Sequence, residues 1–257
     1  MNTVTVARAR RLFSAGGSPN TVSFIVGGFD AAARARLRLT AELAARRLPA
    51  GVGAHVRDAS DAAFHAWIGD LVRATRPPSA PSLENAQAWV ELAGHTDDRA
   101  EHGALEAVWQ AVRLLVRDAG AEVAVWDGLA LEWRSAVQVL ALPPGDLRLA
   151  VAWRCETIDG FNDQKGASFV CIHTLGLAKF GRPDLVACGS ERNRDVLRQL
   201  VSHLAQDLVD GAVLRPGDVI EKGGLRAEVL TYEPGENAPQ LDVPFYAAPL
   251  VVVPDDQ

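Results

Sequence analysis

Residues Phe169 to Gly189 read FVCIHTLGLAKFGRPDLVACG, and this stretch decides the fold because two apolar runs flank one connection punctuated by Gly and Pro. Phe169, Val170, Cys171 and Ile172 form a β-prone run. Thr174 is placed to cap a turn of helix over Leu175 to Phe180, and Gly181 offers the left-handed conformation that ends it. Pro183 blocks continuation, and Arg182 in front of it is pushed to extended geometry, so the chain is expected to leave as a second strand, Leu185 to Cys188. Such a strand-turn-strand unit is a structural centre, not an active site.

C-terminal to it, Ser190 opens a helix whose Val196, Leu197, Leu200, Val201, Leu204 and Leu208 fall on one side, and Gly211 closes it. Lys222-Gly223-Gly224 reads as a hairpin turn, and Pro249 to Pro254 holds a last apolar run. N-terminal to the centre, Glu156 to Gly166 reads as a polar loop, Leu147 to Trp153 alternates as a strand after the turn Pro143 to Asp146, and Leu131 to Leu142 fits helix or strand. Further back, Ala88 to Leu92 is a strand and Asp98 with Glu101 a capping box. The helix after it carries Leu105, Val108, Trp109, Val112, Leu115 and Val116 at a 3.6-residue period, Gly120 ends it, and Val123 to Trp126 returns as a strand. The first segments repeat that order: strand Val22 to Val26, a helix from Asp30 to Leu48 with Leu37, Ala41, Ala44 and Leu48 on one face, strand Val52 to Val56, then a helix from Ser60 or Asp61 with Phe64, Trp67, Ile68 and Leu71. The expected class is α+β, with mixed β-sheets flanked by helices and built from β-α-β units.

The order His173-Thr174-Leu175-Gly176-Leu177, Lys179-Phe180-Gly181-Arg182-Pro183-Asp184-Leu185, a long helix, and Leu208 to Asp218 (LVDGAVLRPGD) resembles a bacterial family known as domain of unknown function 4261. Its pattern runs Thr-x-Gly-Met, Phe-Gly-Lys/Arg-Pro-Glu, helix, Gly-x-x-Leu-x-x-Gly-Asp-Thr; here Leu177 stands for the Met, Asp184 for the Glu and Val219 for the final Thr. A helix followed by Ala124-Val125-Trp126-Asp127-Gly128 extends the likeness upstream. The resemblance covers about Glu84 to Pro254. It implies a shared fold with Thr174, Gly176, Phe180, Gly181, Pro183 and Asp184 as structural motif residues, and it brings no activity and no catalytic residue.

Three prolines within Pro77 to Pro81 suit neither a helix interior nor a central strand. They suggest a linker between a basic β-α-β-α region at 1–78 and an α+β domain at 83–257. The first fifty residues hold eight arginines against Asp30 and Glu42, although the whole chain carries a formal charge of -6. That acidity disfavours nucleic acid as the obligate partner. No run approaches the roughly 20 apolar residues of a membrane span, and no apolar stretch follows Arg8, Arg10 and Arg11 as a secretory signal requires. Cys155, Cys171 and Cys188 are odd in number and sit in or beside apolar runs, which reads as buried free thiols of a cytoplasmic protein.

Candidate chemistry is sparse. His95, His102 and Glu106, with Asp97 and Asp98 nearby, have side chains suited to a metal, but their spacing matches no zinc signature. Glu156, Asp159 and Asp163 share the polar loop and could hold a hard cation. Asp127 ends a strand before Gly128, where α/β proteins place ligands. Cys171 and His173 pair a thiol with a base, yet two residues apart on a strand they share a face without being neighbours. Gly27-Gly28 lacks the rest of any phosphate-loop fingerprint, and the six tryptophans suit core packing. The expectation is a non-catalytic cytoplasmic bacterial protein without a cofactor, working through contact with another protein in an immunity or regulatory role. The alternative is a metal-assisted hydrolase using Asp127 and the 156–163 carboxylates.

Overall fold

Val22, Phe24, Ile25 and Val26 are each at most 3% exposed, so strand β1 (Asn20–Phe29) needs cover on both faces of its sheet. The computed structural model describes residues 20–29, 31–58, 60–75, 85–96, 103–119, 123–141, 154–162, 168–222, 225–234 and 249–254, with a few single positions between them. After β1 come α1 (Ala31–Ala45), β2 (Val52–Asp58), α2 (Ala62–Thr75), β3 (Ala88–Thr96), α3 (Gly103–Ala119), β4 (Ala124–Asp127), β5 (Glu132–Ser135) and α4 (Ala136–Ala141). The five strands form one sheet in the order β2-β3-β1-β4-β5, antiparallel throughout.

Because β1 and β2 both run antiparallel to β3, they are parallel to each other with β3 between them. By the same logic β3 and β4 are parallel with β1 between. The two β-α-β segments legible in the sequence are thus interlocked, which is the split β-α-β order of ferredoxin-like sheets, with α2 inserted and β5 added. Adjacent β1 residues serve opposite faces. Phe24 meets Trp109 of α3 at 5.8 Å between ring centroids, while Ile25 packs with Ile68 and Val72 of α2 and with Trp89, Trp126 and Trp133. On α3, Leu105, Val108, Val112, Leu115 and Val116 are completely buried; at about 1.5–3 kcal/mol per side chain this stripe outweighs any surface ion pair. Asp61 caps α2, its Oδ1 accepting from the Phe64 amide at 3.1 Å.

The proline-rich segment is not a boundary. β3 follows it and pairs with β1 and β2 before it, and the chain divides instead at Ala152/Trp153. Prolines exclude regular structure locally, but they do not stop later strands from joining the same sheet. Leu131 to Leu142 takes both conformations in turn, β5 and then α4.

In the second unit the elements are β6 (Arg154–Asn162), β7 (Ser168–Leu175), β8 (Leu185–Ser190), α5 (Arg194–Val209), β9 (Val219–Lys222), β10 (Leu225–Thr231) and β11 (Leu250–Pro254). They make a mixed sheet, β6-β7-β8-β11-β10-β9, in which only β8 and β11 are parallel neighbours. Leu197, Leu200, Val201, Leu204 and Leu208 of α5 are buried, as their spacing predicts, but Val196, expected on the same side, is 40% exposed. β9 and β10 form the expected hairpin, Lys222 pairing with Leu225. Two expectations are corrected. Glu156 to Asn162 is the strand β6, irregular between Ile158 and Phe161, and not a loop; its polar content hid it. Cys171 and Cys188 are not free thiols: β7 and β8 set them directly opposite each other, 4.2 Å apart at Cα, and they are disulfide-bonded, leaving Cys155 free among the described residues. The predicted strand Leu147 to Trp153 and the caps Asp30, Asp98 and Glu101 lie outside the described residues.

The central stretch has the expected order of β7, a turn ended by Gly181 at φ 65°, and β8, with one correction: Thr174 and Leu175 belong to β7, and the 3-10 turn starts only at Leu177 and runs to Phe180. Replacing Gly181 by Val forces a β-branched residue into the left-handed region, and urea unfolding should register a loss of about 1 kcal/mol or more. Thiol titration in denaturant without reductant should count one reactive cysteine, and three after reduction. Three from the start would remove the bridge.

Candidate functional site

The motif residues have structural duties. Asp184 is 2% exposed, and its Oδ1 accepts from the Thr174 hydroxyl at 3.0 Å and from the Leu177 amide at 3.2 Å. The Thr174 oxygen in turn accepts from the Leu185 amide at 2.8 Å. So Asp184, not Thr174, caps the 3-10 turn, and Thr174 ties the turn to β8. Gly176 and Gly181 bound the turn with φ values of 102° and 65° that disfavour any side chain. Arg182, 7% exposed, donates from Nε to the Leu208 carbonyl at 2.9 Å, placing its charge on the C-terminal end of α5. Burial lowers the Arg182 pKa to about 10, so it stays charged near neutrality. Arg215 to Asp218 is a turn with Gly217 at φ 91°, and Asp218 Oδ2 accepts from the Arg215 amide at 2.8 Å.

The predicted catalytic and metal-binding residues are spoken for or separated. Asp127 is 1% exposed, and its Oδ1 accepts from the Leu129 and Ala130 amides at 3.1 and 3.0 Å, so it shapes the turn between β4 and β5. Glu156 lies opposite His173, with Oε2 3.6 Å from Nε2 of the wholly buried ring. Asp159 pairs at 2.7 Å with Arg194 at the start of α5. His95 Nδ1 is 3.0 Å from the Thr21 hydroxyl, and Glu106 stands exposed in the first turn of α3. His102 and Asp163 lie outside the described residues. Among the described residues no three His, Cys, Asp or Glu side chains converge as a metal site would require. The Cys171–Cys188 bond removes the thiol of the Cys171–His173 reading, and burial raises the pKa of Cys155, which sits by Ser202 and Arg198 of α5. Gly27 is explained by its neighbour: a Cβ there would stand 1.7 Å from the Trp89 ring.

What sequence reasoning missed is a hollow of about 220 Å³ in the first unit. Among the described residues it is lined by Arg47, Gln110, Arg113, Leu114, Arg117 and Leu140, so the turn after α1, the outer side of α3 and α4 all contribute. Arg113 and Arg117 are one turn apart on α3 and therefore point the same way. Arg113 Nη1 donates to the Val139 carbonyl at 3.2 Å, which fixes α4 against α3. Arg117 is 4.0 Å from Asp118, a loose contact on an exposed side chain, and Asp118 also accepts from Thr40 at 3.2 Å. Leu39 and Leu43 lead along α1 to Arg47 at four-residue steps, and Val137 and Leu140 stand on α4; these four are 62%, 42%, 69% and 40% exposed. A cationic hollow with apolar shoulders results. The Arg113-x-x-x-Arg117 spacing was visible in the sequence, but nothing there joined it to Arg47.

No protein family, curated protein or solved structure matches the chain, so the likeness to the bacterial family rests on the motif residues alone.

Burial raises the Asp184 pKa to about 6, against the opposing effects of the Leu177 and Thr174 hydrogen bonds and of Lys179. The folded chain thus binds this proton more readily than the unfolded chain. The resulting stability is complete below about pH 4 and is lost as pH rises through about 6. Asn at position 184 can accept both hydrogen bonds without titrating. Denaturation of Asp184→Asn and the parent in parallel should show the variant gaining up to about 3 kcal/mol relative to the parent between pH 4 and pH 7. A pH-independent difference would mean that the carboxyl titrates normally.

Proposed function

We propose that the chain is a non-catalytic binding protein of the bacterial cytoplasm that grips a carboxylate-bearing segment of another protein at the Arg47, Arg113 and Arg117 hollow. The observation that carries this reading is that Arg47, in the turn after α1, lines one recess together with Arg113 and Arg117 of α3, with exposed leucines on α1 and α4. Guanidinium forks suit carboxylates, and Leu39, Leu43 and Leu140 offer the apolar contact that surrounds an ionic hot spot in protein interfaces. Nucleic acid fits less well: it requires a basic stripe following many phosphates, and apolar shoulders match no sugar-phosphate backbone. An immunity or regulatory role is the kind of work such a contact would serve. Structural disulfides are uncommon in reducing compartments, so the Cys171–Cys188 bond is the observation that weighs against a cytoplasmic setting. No described helix is long and apolar enough to cross a membrane.

A short labelled peptide rich in Glu and Leu is the direct probe, with a labelled DNA duplex beside it. Peptide binding should weaken as salt is raised and disappear in Arg47→Glu combined with Arg117→Glu, while unfolding shifts by less than about 1 kcal/mol because both side chains are exposed. Peptide binding untouched by the double reversal, or tighter binding of the duplex, would refute the reading.

A further inference from the structure

The other flank of α1 borders β2, the terminal strand of its sheet among the described residues. β2 and β3 pair from Val52↔Gly94 to Asp58↔Ala88, and just beyond that register the His95 amide donates to the Gly51 carbonyl at 3.0 Å. In an antiparallel pair alternate residues exchange both bonds with the neighbouring strand. Gly53, His55 and Arg57 are therefore the inward-bonding positions, and Val52, Ala54, Val56 and Asp58 face out of the sheet. The Val52 amide already donates to the Pro49 carbonyl at 3.2 Å and the Asp58 carbonyl accepts from the Asp61 amide at 2.9 Å, so Ala54 and Val56 are the central outward pair.

Natural sheets protect such an edge with shortness, charge, proline or a bulge. Three of the four sheet ends among the described residues follow that rule. β5 and β9 have four residues each and carry Glu132 with Arg134 and Glu221 with Lys222; β6 is irregular between Ile158 and Phe161. β2 has seven residues, its charged outward residue Asp58 stands at the very end, and its central outward pair is Ala54 and Val56. The Arg57 charge is turned back onto its own unit, bonded to Glu91 at 2.8 Å and Asp61 at 3.2 Å. Between this edge and α1 lies a groove of about 280 Å³ lined by Arg38, Ala41, Glu42, Ala45, Ala54 and Val56. Small residues leave room for close approach, and Arg38 and Glu42 stand one turn apart with opposite charges.

We propose that β2 is the seam of a twofold homodimer, in which the β2 strands of two copies pair antiparallel about His55 and join two five-stranded sheets into one. The surface is self-complementary, as a twofold interface requires. Reversal about His55 sets Ala54 opposite Val56 of the second copy, so the central outward pair of each strand meets that of the other. The same operation lays the two α1 helices side by side and antiparallel, with the Arg38 of each copy reaching the Glu42 of the other past the exposed Ala45. An unrelated extended peptide could use the same backbone groups, but it would have no built-in match to the Arg38 and Glu42 pattern.

Sedimentation equilibrium of the full chain over a wide concentration range is the test. The parent should give twice the chain mass. Ala54→Pro removes an amide that β3 does not use, so the fold tolerates it as edge strands tolerate proline, and the dimer should be lost. Arg38→Glu should weaken association about tenfold, since two symmetry-related attractions become repulsions, and adding Glu42→Arg should restore it. The charge-swap pair keeps the test decisive if the proline variant fails to fold. A parent of single-chain mass at its highest soluble concentration overturns the proposal, as does a dimer indifferent to both Ala54→Pro and Arg38→Glu.

Discussion

Taking a carboxylate out of water is so unfavourable that the chain around it must be arranged first, and Asp184 is the point from which residues 168–222 are arranged. It retains part of its charge only because the Thr174 hydroxyl, the Leu177 amide and the nearby wholly buried Lys179 oppose the cost of burial. Each contact fixes an element. Leu177 fixes the start of the 3-10 turn, Thr174 fixes the end of β7 and, through Leu185, the start of β8. Arg182, two residues before Asp184, fixes the end of α5. Buried polar groups that are fully satisfied add little net stability but exclude other arrangements. Thr174, Arg182 and Asp184 are polar residues of the motif whose hydrogen bonds serve the fold.

The fold was legible wherever one residue's neighbours determine its state. The α3 stripe, the β7-turn-β8 order and most of the α5 face follow from periodicity and from Gly and Pro; Val196 and the Thr174 cap are the local readings that fail. Illegible features depend on partners distant in sequence. β6 reads as a loop because Glu156 and Asp159 are polar, and their partners His173 and Arg194 are set only by strand pairing and by the approach of α5. Cys171 and Cys188 become bonded because the β7–β8 register places them opposite, a relation their spacing of 17 does not reveal. The supposed boundary near Pro77 failed for the same reason, since local composition does not say that β3 will insert between β1 and β2.

The candidate site follows the same division. Asp127 was recognisable as a strand-ending residue and serves as one, and its carboxylate is directed at the amides of its own turn. The arginine hollow needs three elements at once, so only half of it could be sensed: a basic α1 was apparent, but its junction with Arg113 and Arg117 arises from α1 and α3 lying side by side on the sheet.

Both surfaces argued for binding flank α1, and the reason lies in the topology. In the split β-α-β order, α1 returns the chain from β1 to the outermost strand β2, so it lies at the border of the sheet with α3 on one side only. Leu37, Thr40, Ala41 and Ala44 turn inward, leaving two outward rows separated by the helix's own curvature. The row Leu39, Leu43, Arg47 descends toward α3 and ends in the cationic hollow; the row Arg38, Glu42, Ala45 descends toward the open edge of β2. The two rows share no lining residue. A dimer joined through β2 would therefore present two arginine hollows at once, and a partner with two acidic segments would gain from holding both far more than either contact supplies alone.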